Sequence, residues 1–119
     1  MKIGTDIISI ARIDKSISKF GDKFKKRYLR DEEINIIKRS ETYASFWCAK
    51  EAISKALGCG IGKDLEFTDI IIYKDKKGAP HFKLSPKAQI KFPINSSSLS
   101  ISHDAGFVIA VVVLTLDKI

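Results

Sequence analysis

Hydrophobic positions along the chain follow a strand pattern first and a helical pattern next. Residues 2–8 are rich in β-branched apolar side chains, which predicts a buried strand. The next apolar residues recur at helical spacing, at Ile10, Ile13, Ile17 and Phe20. Gly21 ends this helix, and two shorter helical segments follow at residues 24–29 and 31–39. The second of them opens with acidic residues, which favour a helix N-terminus.

A long amphipathic segment occupies the middle of the chain. Residues 42–57 have a broad apolar side at helical spacing, and Gly58 follows as a typical helix end. The apolar positions are Tyr43, Phe46, Ala49, Ile53, Ala56 and Leu57. We expect this helix to be the central element of the fold.

Strand spacing returns in the C-terminal half. Residues 67–73 and 80–84 predict an antiparallel hairpin around a basic turn. Ser85 followed by Pro86 is a typical helix start, so residues 87–92 predict a short helix.

A second hairpin is predicted at the C-terminus. Residues 95–97 form a polar loop in this interpretation, and residues 99–103 alternate between apolar and polar side chains. Residues 107–116 are an apolar run, which we expect to be the most buried strand. Helices that precede hairpins in this order predict an α+β fold, with an antiparallel sheet packed against one long central helix and short helices.

The length of 119 residues indicates one domain, spanning residues 1–119. The apolar run at 107–116 is about half of the ~20 residues needed to cross a bilayer, and no signal-peptide core precedes the first strand. Cys48 and Cys59 have neither the spacing nor the nearby histidines of a zinc or redox site. We therefore expect a soluble cytoplasmic protein with reduced thiols and no membrane partner.

The formal net charge of +7 indicates an anionic partner. Basic residues are concentrated between Arg12 and Arg30, where only Asp14 and Asp22 oppose them. A nucleic acid, a membrane surface, a nucleotide-like small molecule and an acidic protein would each satisfy the charge. A basic helix face that is simply solvated is an equally good explanation of the cluster.

Three charged residues suggest phosphate chemistry. Glu51 and Lys55 are four residues apart and share a helix face, with Cys48 one turn earlier. Taken alone, a Glu–Lys pair at this spacing is more often found on a solvent-exposed helix surface. Asp6 interrupts an apolar strand, however, and a charge in that position requires a partner.

Two further features allow both a structural and a functional interpretation. The alternate glycines at residues 58–62 allow close approach of a ligand, but they lack the phosphate-loop pattern and follow their helix, which favours a helix cap and turn. His103 lies on the side of Leu99 and Ile101 at a strand end. On position alone it is as readily a core histidine as a ligand-binding one.

Three ordered segments together resemble the holo-acyl-carrier-protein synthases, which are small 4'-phosphopantetheinyl transferases. The segments are residues 3–7, 46–58 and 99–103, and the resemblance runs from about residue 3 to about residue 114. It implies transfer of the phosphopantetheine arm of coenzyme A to a serine of acyl carrier protein, with release of adenosine 3',5'-bisphosphate. Fatty acid biosynthesis is the implied context.

The resemblance also implies roles for individual residues. Asp6 and Glu51 match the two Mg2+ ligands of the family, a set that suits a hard cation also bound by substrate phosphates. Lys55 matches the lysine near the diphosphate, where it would balance charge on the leaving phosphate. Coenzyme A would lie against Gly58 and its loop, and His103 matches a histidine that contacts coenzyme A or a metal-bound water.

The partners follow from the same resemblance. Arg12 matches a basic residue of the first helix, and with Lys15 and Lys19 it forms a plausible docking surface for the acidic acyl carrier protein. A homotrimer with active sites at subunit boundaries is also implied, which would relieve the limited core of a small domain. Asp6, Glu51 through a metal-bound water, and a hydroxide on Mg2+ each remain possible bases for the carrier serine.

One position departs from the family pattern. Phe46 stands where the family often has an arginine, and Lys38, Arg39 or Lys63 could supply the phosphate contact instead. Trp47 next to it is more typical of a core or interface anchor than of a stacking platform.

Two other classes of protein compete with the transferase. A small basic nucleic-acid-binding module would explain the charge, but it would need exposed aromatic residues, and the aromatic residues here follow core-like patterns at Phe67, Tyr73, Phe82 and Phe107. A catalytically silent domain that binds carrier protein would not need Asp6, Glu51, Lys55 and His103 together.

Overall fold

The computed structural model describes residues 1–118. The elements in chain order are β1 (Lys2–Ser9), α1 (Ile10–Phe20), α2 (Asp22–Tyr28), α3 (Asp31–Ile36), α4 (Ser40–Ala56), a 3-10 turn (Phe67–Asp69), β2 (Ile70–Lys74), β3 (Pro80–Leu84), α5 (Pro86–Lys91), β4 (Ile94–Asp104) and β5 (Phe107–Leu116). The predicted α+β class is confirmed, and so is the long helix, which begins two residues earlier than expected. Helix α3 is shorter than the predicted segment at 31–39 and ends at Ile36.

Strand β5 lies in the middle of a three-stranded antiparallel sheet with the order β1-β5-β4. Its alternate residues Val108, Ala110, Val112 and Leu114 are buried, whereas Phe107 and Ile109 on the other face are 50% and 43% exposed. The expectation that β5 is the most buried strand is therefore wrong for one of its two faces. The reason is that helix α4 covers only one side of this sheet.

Helix α4 packs directly on β1 because a glycine allows the two backbones to approach. A Cβ atom at Gly4 would overlap the carbonyl oxygen of Ala52 and lie 2.7 Å from the amide nitrogen of Ala56. Ala52 and Ala56 are themselves small and buried. Gly4 thus sets the distance between the helix that carries Glu51 and the strand that carries Asp6.

A buried ion pair joins α4 to the rest of the domain. The Nζ of Lys50 donates to Oε1 of Glu33 at 2.8 Å and to the carbonyl oxygens of Tyr28 at 2.7 Å and Phe67 at 3.1 Å. Oε2 of Glu33 accepts from the amide of Ile72. Two helices, the 3-10 turn and β2 are thereby tied to the position directly before Glu51.

Both hairpins of the C-terminal half form, but the first strand is shorter than the predicted 67–73, because Phe67–Asp69 is a 3-10 turn and β2 begins at Ile70. Residues 95–97 belong to β4 and are not a loop, because Ser96 and Ser97 pair with Thr115 and Leu114 of β5. Tyr73 at the end of β2 is 46% exposed, so it does not follow the core-like interpretation. Phe107 departs from it in the same way, whereas Phe82 is buried.

Trp47 packs within an aromatic cluster and does not project into solvent. Its ring centroid lies 5.7 Å from that of Phe24, 5.0 Å from Tyr28 and 4.6 Å from Phe67. The predicted role of Trp47 as a core anchor is confirmed.

None of the helices in residues 1–118 combines the length and the apolar character that crossing a membrane requires.

Candidate functional site

The charged residue in strand β1 has the partner that its position requires. The Nζ of Lys55 on α4 lies 2.9 Å from Oδ1 of Asp6. The Asp6 side chain is 17% exposed and that of Lys55 is 54% exposed, so the ammonium group reaches out of the cleft between β1 and α4. This contact brings together two of the predicted site residues that are 49 positions apart in the sequence.

Glu51 lies beside this ion pair, one helical turn before Lys55. Burial raises the pKa of the Glu51 carboxyl, and the negative charge of Asp6 raises it further, whereas Lys55 and Arg12 act in the opposite direction. The pKa of Lys55 is raised by its hydrogen bond to Asp6 and by the charges of Asp6 and Glu51. Two carboxylates that repel one another beside a solvent-facing cation form a site that would attract a further cation.

Cys48 lies beneath Asp6 and is completely buried. Its Sγ is 3.2 Å from the carbonyl oxygen of Asp6 and 3.5 Å from that of Val108. Burial, together with the charge and a hydrogen bond of Asp6, raises the pKa of this thiol to about 12. The thiol is therefore a neutral packing group that supports the Asp6 backbone.

The glycine loop after α4 acts as a helix cap. Gly58 and Gly60 have φ angles of 82° and 67°, which glycine adopts without strain. The amides of Cys59 and Gly60 both bond to the carbonyl oxygen of Ser54, and the amide of Gly62 bonds to that of Leu65. Because these amides are engaged within the loop, they do not form a phosphate-binding loop, and the cap interpretation is confirmed.

His103 belongs to a different region, an open cavity of about 850 Å³. It is exposed, so the alternative of a core histidine is wrong. Lys38 and Arg39 also line this cavity, as does Phe46, whereas Lys63 is not among the lining residues. Sequence reasoning missed the contribution of the β2–β3 hairpin, which supplies Tyr73, Lys74, Gly78 and Pro80 to the wall.

The two groups of predicted residues lie at opposite edges of the sheet. Asp6 pairs with Ala110 of β5, and His103 pairs with Val108 of β5 from the other side. Since adjacent strands are ~4.8 Å apart, the backbones of β1 and β4 are ~10 Å apart with β5 between them. Within one chain, the cluster of Asp6, Glu51 and Lys55 is thus separate from the cavity of His103.

Helix α1 presents the basic residues predicted for docking. Arg12, Lys15 and Lys19 are exposed and follow helical spacing, whereas Ile13 faces the core. Arg12 is close enough to Glu51 to lower its pKa. The Nζ of Lys19 lies 5.3 Å from the ring centroid of Phe20, which is 55% exposed. The basic face therefore begins next to the Asp6–Glu51 cluster and ends at an exposed aromatic side chain.

The donor set limits which metal ions the chain could hold. Over residues 1–118 there is no group of three or more His, Cys, Asp or Glu side chains that could bind a metal ion. Asp6 and Glu51 supply two carboxylates. This set does not suit zinc, which takes at least three protein ligands, but it suits a hard cation that keeps several waters.

Comparison with known proteins gives one consistent result. Residues 2–112 match the model of the 4'-phosphopantetheinyl transferase superfamily. The chain is 56% identical over 117 residues to holo-[acyl-carrier-protein] synthase of Sulfurovum sp., which covers 98% of both chains. It is 54% identical over 116 residues to the protein of the same name in Aliarcobacter butzleri, again covering 98% of both.

Solved structures have the same fold. The structure of Helicobacter pylori holo-[acyl-carrier-protein] synthase in complex with coenzyme A superposes with a TM-score of 0.91 at 52% identity, covering 95% of this chain and 99% of that one. A holo-(acyl-carrier-protein) synthase from Bacillus anthracis, in complex with CoA (3',5'-ADP), gives a TM-score of 0.81 at 38% identity. That match covers 98% of this chain and 96% of the other.

Proposed function

The chain belongs to the 4'-phosphopantetheinyl transferase superfamily, and we propose that it is a holo-acyl-carrier-protein synthase acting in fatty acid biosynthesis in the cytoplasm. The reaction transfers the 4'-phosphopantetheine group of coenzyme A to a serine of apo acyl carrier protein and releases adenosine 3',5'-bisphosphate. The observation that carries the proposal is the cluster of Asp6, Glu51 and Lys55, assembled from β1 and α4 in a chain of this family.

Asp6 and Glu51 are the residues that would hold Mg2+. The fit rests on their chemistry, because burial and the neighbouring carboxylate of Asp6 raise the pKa of Glu51, and a divalent cation would relieve the repulsion between the two carboxylates. When bound, Mg2+ supplies positive charge that stabilises the phosphate oxygens during transfer. Cys48 and Gly4 position this pair of carboxylates. The Cys48 thiol contacts the Asp6 carbonyl, and Gly4 sets the distance between β1 and α4.

Lys55 is proposed to bind the diphosphate of coenzyme A. Its ammonium group faces solvent while it remains bonded to Asp6, so it can contact a phosphate oxygen by a small rotation of a flexible side chain. A lysine in this position balances the charge that develops on the leaving phosphate. Gly58, one turn further on, is exposed and would let the coenzyme pass close to the backbone.

The nucleotide end of coenzyme A is assigned to the cavity at the other edge of the sheet. Lys38 and Arg39 provide positive charge for phosphate groups, and His103 provides a further hydrogen-bonding group. This arrangement gives a physical account of the Phe46 departure, because the apolar ring lines the same cavity in which Lys38 and Arg39 carry the charge.

A homotrimer is proposed because the two halves of the site lie on opposite edges of one chain. A neighbouring subunit would bring its cavity to the Asp6–Glu51 cluster, so that one coenzyme A contacts both. The uncovered sheet face supports such packing, since Ile3 and Ile7 are 69% and 64% exposed and Ile7 pairs with the exposed Ile109 of β5. Sedimentation measurements should give three times the chain mass, and a charge introduced by Ile109→Asp should dissociate the assembly.

The basic face of α1 is proposed to receive acyl carrier protein. Arg12 lies nearest to the reacting centre, and Lys15 and Lys19 extend the positive surface along the helix. Exposed Phe20 offers an apolar contact at the end of this surface. Electrostatic steering of this kind raises the rate of encounter and weakens as salt is added.

The function is tested by incubating the protein with apo acyl carrier protein, coenzyme A and Mg2+. Intact mass spectrometry of the carrier should show a gain of one phosphopantetheine group, and a chelator should prevent it. An unchanged carrier mass, with the protein folded, would contradict the transferase assignment. Transfer that proceeds equally in the presence of chelator would contradict the Mg2+ assignment alone.

A further inference from the structure

The turn between β2 and β3 is held by one carboxylate. Oδ1 of Asp75 accepts from the amides of Lys77 at 2.9 Å and Ala79 at 3.0 Å. The backbone of Asp75 adds two bonds, from its amide to the carbonyl of Ala79 and from the amide of Gly78 to its own carbonyl. Gly78, which has a φ of 86°, and the following Pro80 are part of the cavity wall. Asp75 therefore fixes a segment of the cavity wall, although Asp75 itself is not one of the lining residues.

The same carboxylate also acts on the aromatic side chain of that wall. Oδ2 of Asp75 lies 3.0 Å from Nε2 of His81. The His81 ring stacks on Tyr73, its cross-strand partner, with centroids 5.5 Å apart and planes inclined by 20°. Tyr73 lines the cavity. A chain of contacts thus runs from Asp75 through His81 to the exposed ring of Tyr73.

We infer that Asp75 is a positioning residue for the nucleotide end of coenzyme A. It holds the backbone from Gly78 to Pro80 and, through His81, the ring of Tyr73 in the arrangement that receives the ligand. An aromatic ring beside a nucleotide pocket can stack on the base, and a fixed ring loses less entropy on binding than a mobile one. The inference rests on the proposed function, because it takes the cavity as the nucleotide site.

Charge distinguishes this positioning role from a simple electrostatic one. Coenzyme A is an anion, so removal of the negative charge at Asp75 should strengthen its binding if charge were the only factor. Loss of the ordered turn and of the fixed Tyr73 ring should weaken it. The two effects have opposite signs, and the direction of the change therefore reports which one dominates.

The test measures binding of adenosine 3',5'-bisphosphate by calorimetry to the wild-type protein and to Asp75→Ala, together with kinetics at varied coenzyme A. We expect Kd for the nucleotide and KM for coenzyme A to rise about tenfold, with kcat within about twofold of wild type. Asp75→Asn should restore most of the affinity, since its Oδ1 still accepts from the two turn amides and its Nδ2 can bond to His81.

Asp117→Ala is a matched control that removes the same charge. Asp117 follows the last residue of β5. It lies at the opposite end of this strand from Val108, the residue that pairs with His103. Its substitution should leave Kd and KM unchanged. Nucleotide binding to Asp75→Ala that equals or exceeds wild-type binding would overturn the inference.

A further substitution keeps the test informative if Asp75→Ala does not fold. His81→Phe preserves an aromatic ring against Tyr73 but loses the contact with Asp75, and it should raise KM for coenzyme A above that of the wild-type protein. An unchanged KM for His81→Phe would overturn the part of the inference that runs through Tyr73. Failure of the wild-type protein to bind the nucleotide would contradict the proposed function and remove this inference with it.

Discussion

The Nζ atom of Lys50 lies 2.8 Å from Oε1 of Glu33, and neither side chain has any exposure to solvent. Burial lowers the pKa of Lys50, while the charge of Glu33 and its hydrogen bond act to keep the lysine protonated. Oε1 of Glu33 also accepts from the amide of Arg30 at the start of its own helix, and the other polar contacts of the pair go to the backbone of Tyr28, Phe67 and Ile72. The pair therefore holds α4 in place at the residue directly before Glu51.

The first prediction concerns this ion pair. Lys50→Met should reduce the free energy of unfolding by about 3–5 kcal/mol, because it leaves the carboxylate of Glu33 buried without a counter-charge. The double substitution Lys50→Met with Glu33→Gln should recover part of the loss. Urea unfolding of both variants measures this, and a loss below about 1 kcal/mol for the single variant would show that the pair does not anchor α4.

A second prediction tests the close approach of β1 and α4. Gly4→Ala should destabilise the fold by at least about 1–3 kcal/mol, because its Cβ would overlap the backbone of Ala52. Gly62→Ala is the matched control, since its Cβ would meet no atom within 4 Å. Thermal unfolding compares the two. Equal melting temperatures for both variants would contradict the packing described here.

The third prediction concerns the two thiols. Cys59 is exposed, whereas Cys48 is buried with its pKa raised to about 12. Because the thiolate is the reactive form, iodoacetamide should modify Cys59 in the folded protein and Cys48 only after unfolding. Peptide mass analysis of the modified protein identifies the site. Modification of Cys48 at the rate of Cys59 would mean that the support beneath Asp6 opens readily.

A fourth prediction concerns stability in acid. Burial acts to raise the pKa of Asp69, but the bonds from the Glu66 amide and the Ser85 hydroxyl outweigh it and hold the pKa below the ordinary 3.8. A carboxyl with a depressed pKa stabilises the fold above that ordinary value, and this contribution is lost as the pH falls towards the pKa of the folded state.

Asp69→Asn should therefore flatten the fall in melting temperature below pH ~4, and Ser85→Ala should flatten it in part. Thermal unfolding over the acid range measures both slopes. If the melting temperature of Asp69→Asn falls with pH as steeply as that of the wild-type protein, the proposed role of Asp69 is contradicted.

The sequence predicts local elements well, for physical reasons. Helix α4 follows from its apolar side, and the need of Asp6 for a partner follows from its charge within an apolar strand, whereas the identity of that partner, Lys55, comes from the structure. The burial of Lys50 was not predictable, because a lysine next to a glutamate on a helix is typical of a solvated face. Only the packing of α3 against β2 brings Glu33 to it.

Strand order explains most of what the sequence does not indicate. The separation of Asp6 from His103 depends on β5 lying between β1 and β4, and no local pattern specifies that order. Exposure of Phe107 likewise depends on what covers the sheet, because an apolar run predicts burial on both faces. The turn at Asp75 has a local signal in its glycine and proline, but its place in the cavity wall follows from tertiary packing.

The most direct test of the central claim compares two glutamate substitutions in the transfer reaction. Glu51→Gln removes a carboxylate from the cluster with Asp6 and Lys55, whereas Glu32→Gln removes one from the exposed surface of α3. Intact mass spectrometry of acyl carrier protein over time measures the transfer rate of each. We predict that Glu51→Gln lowers the rate by at least about a hundredfold and that Glu32→Gln retains the wild-type rate. Transfer by Glu51→Gln at the wild-type rate would contradict the assignment of this cluster as the reacting centre.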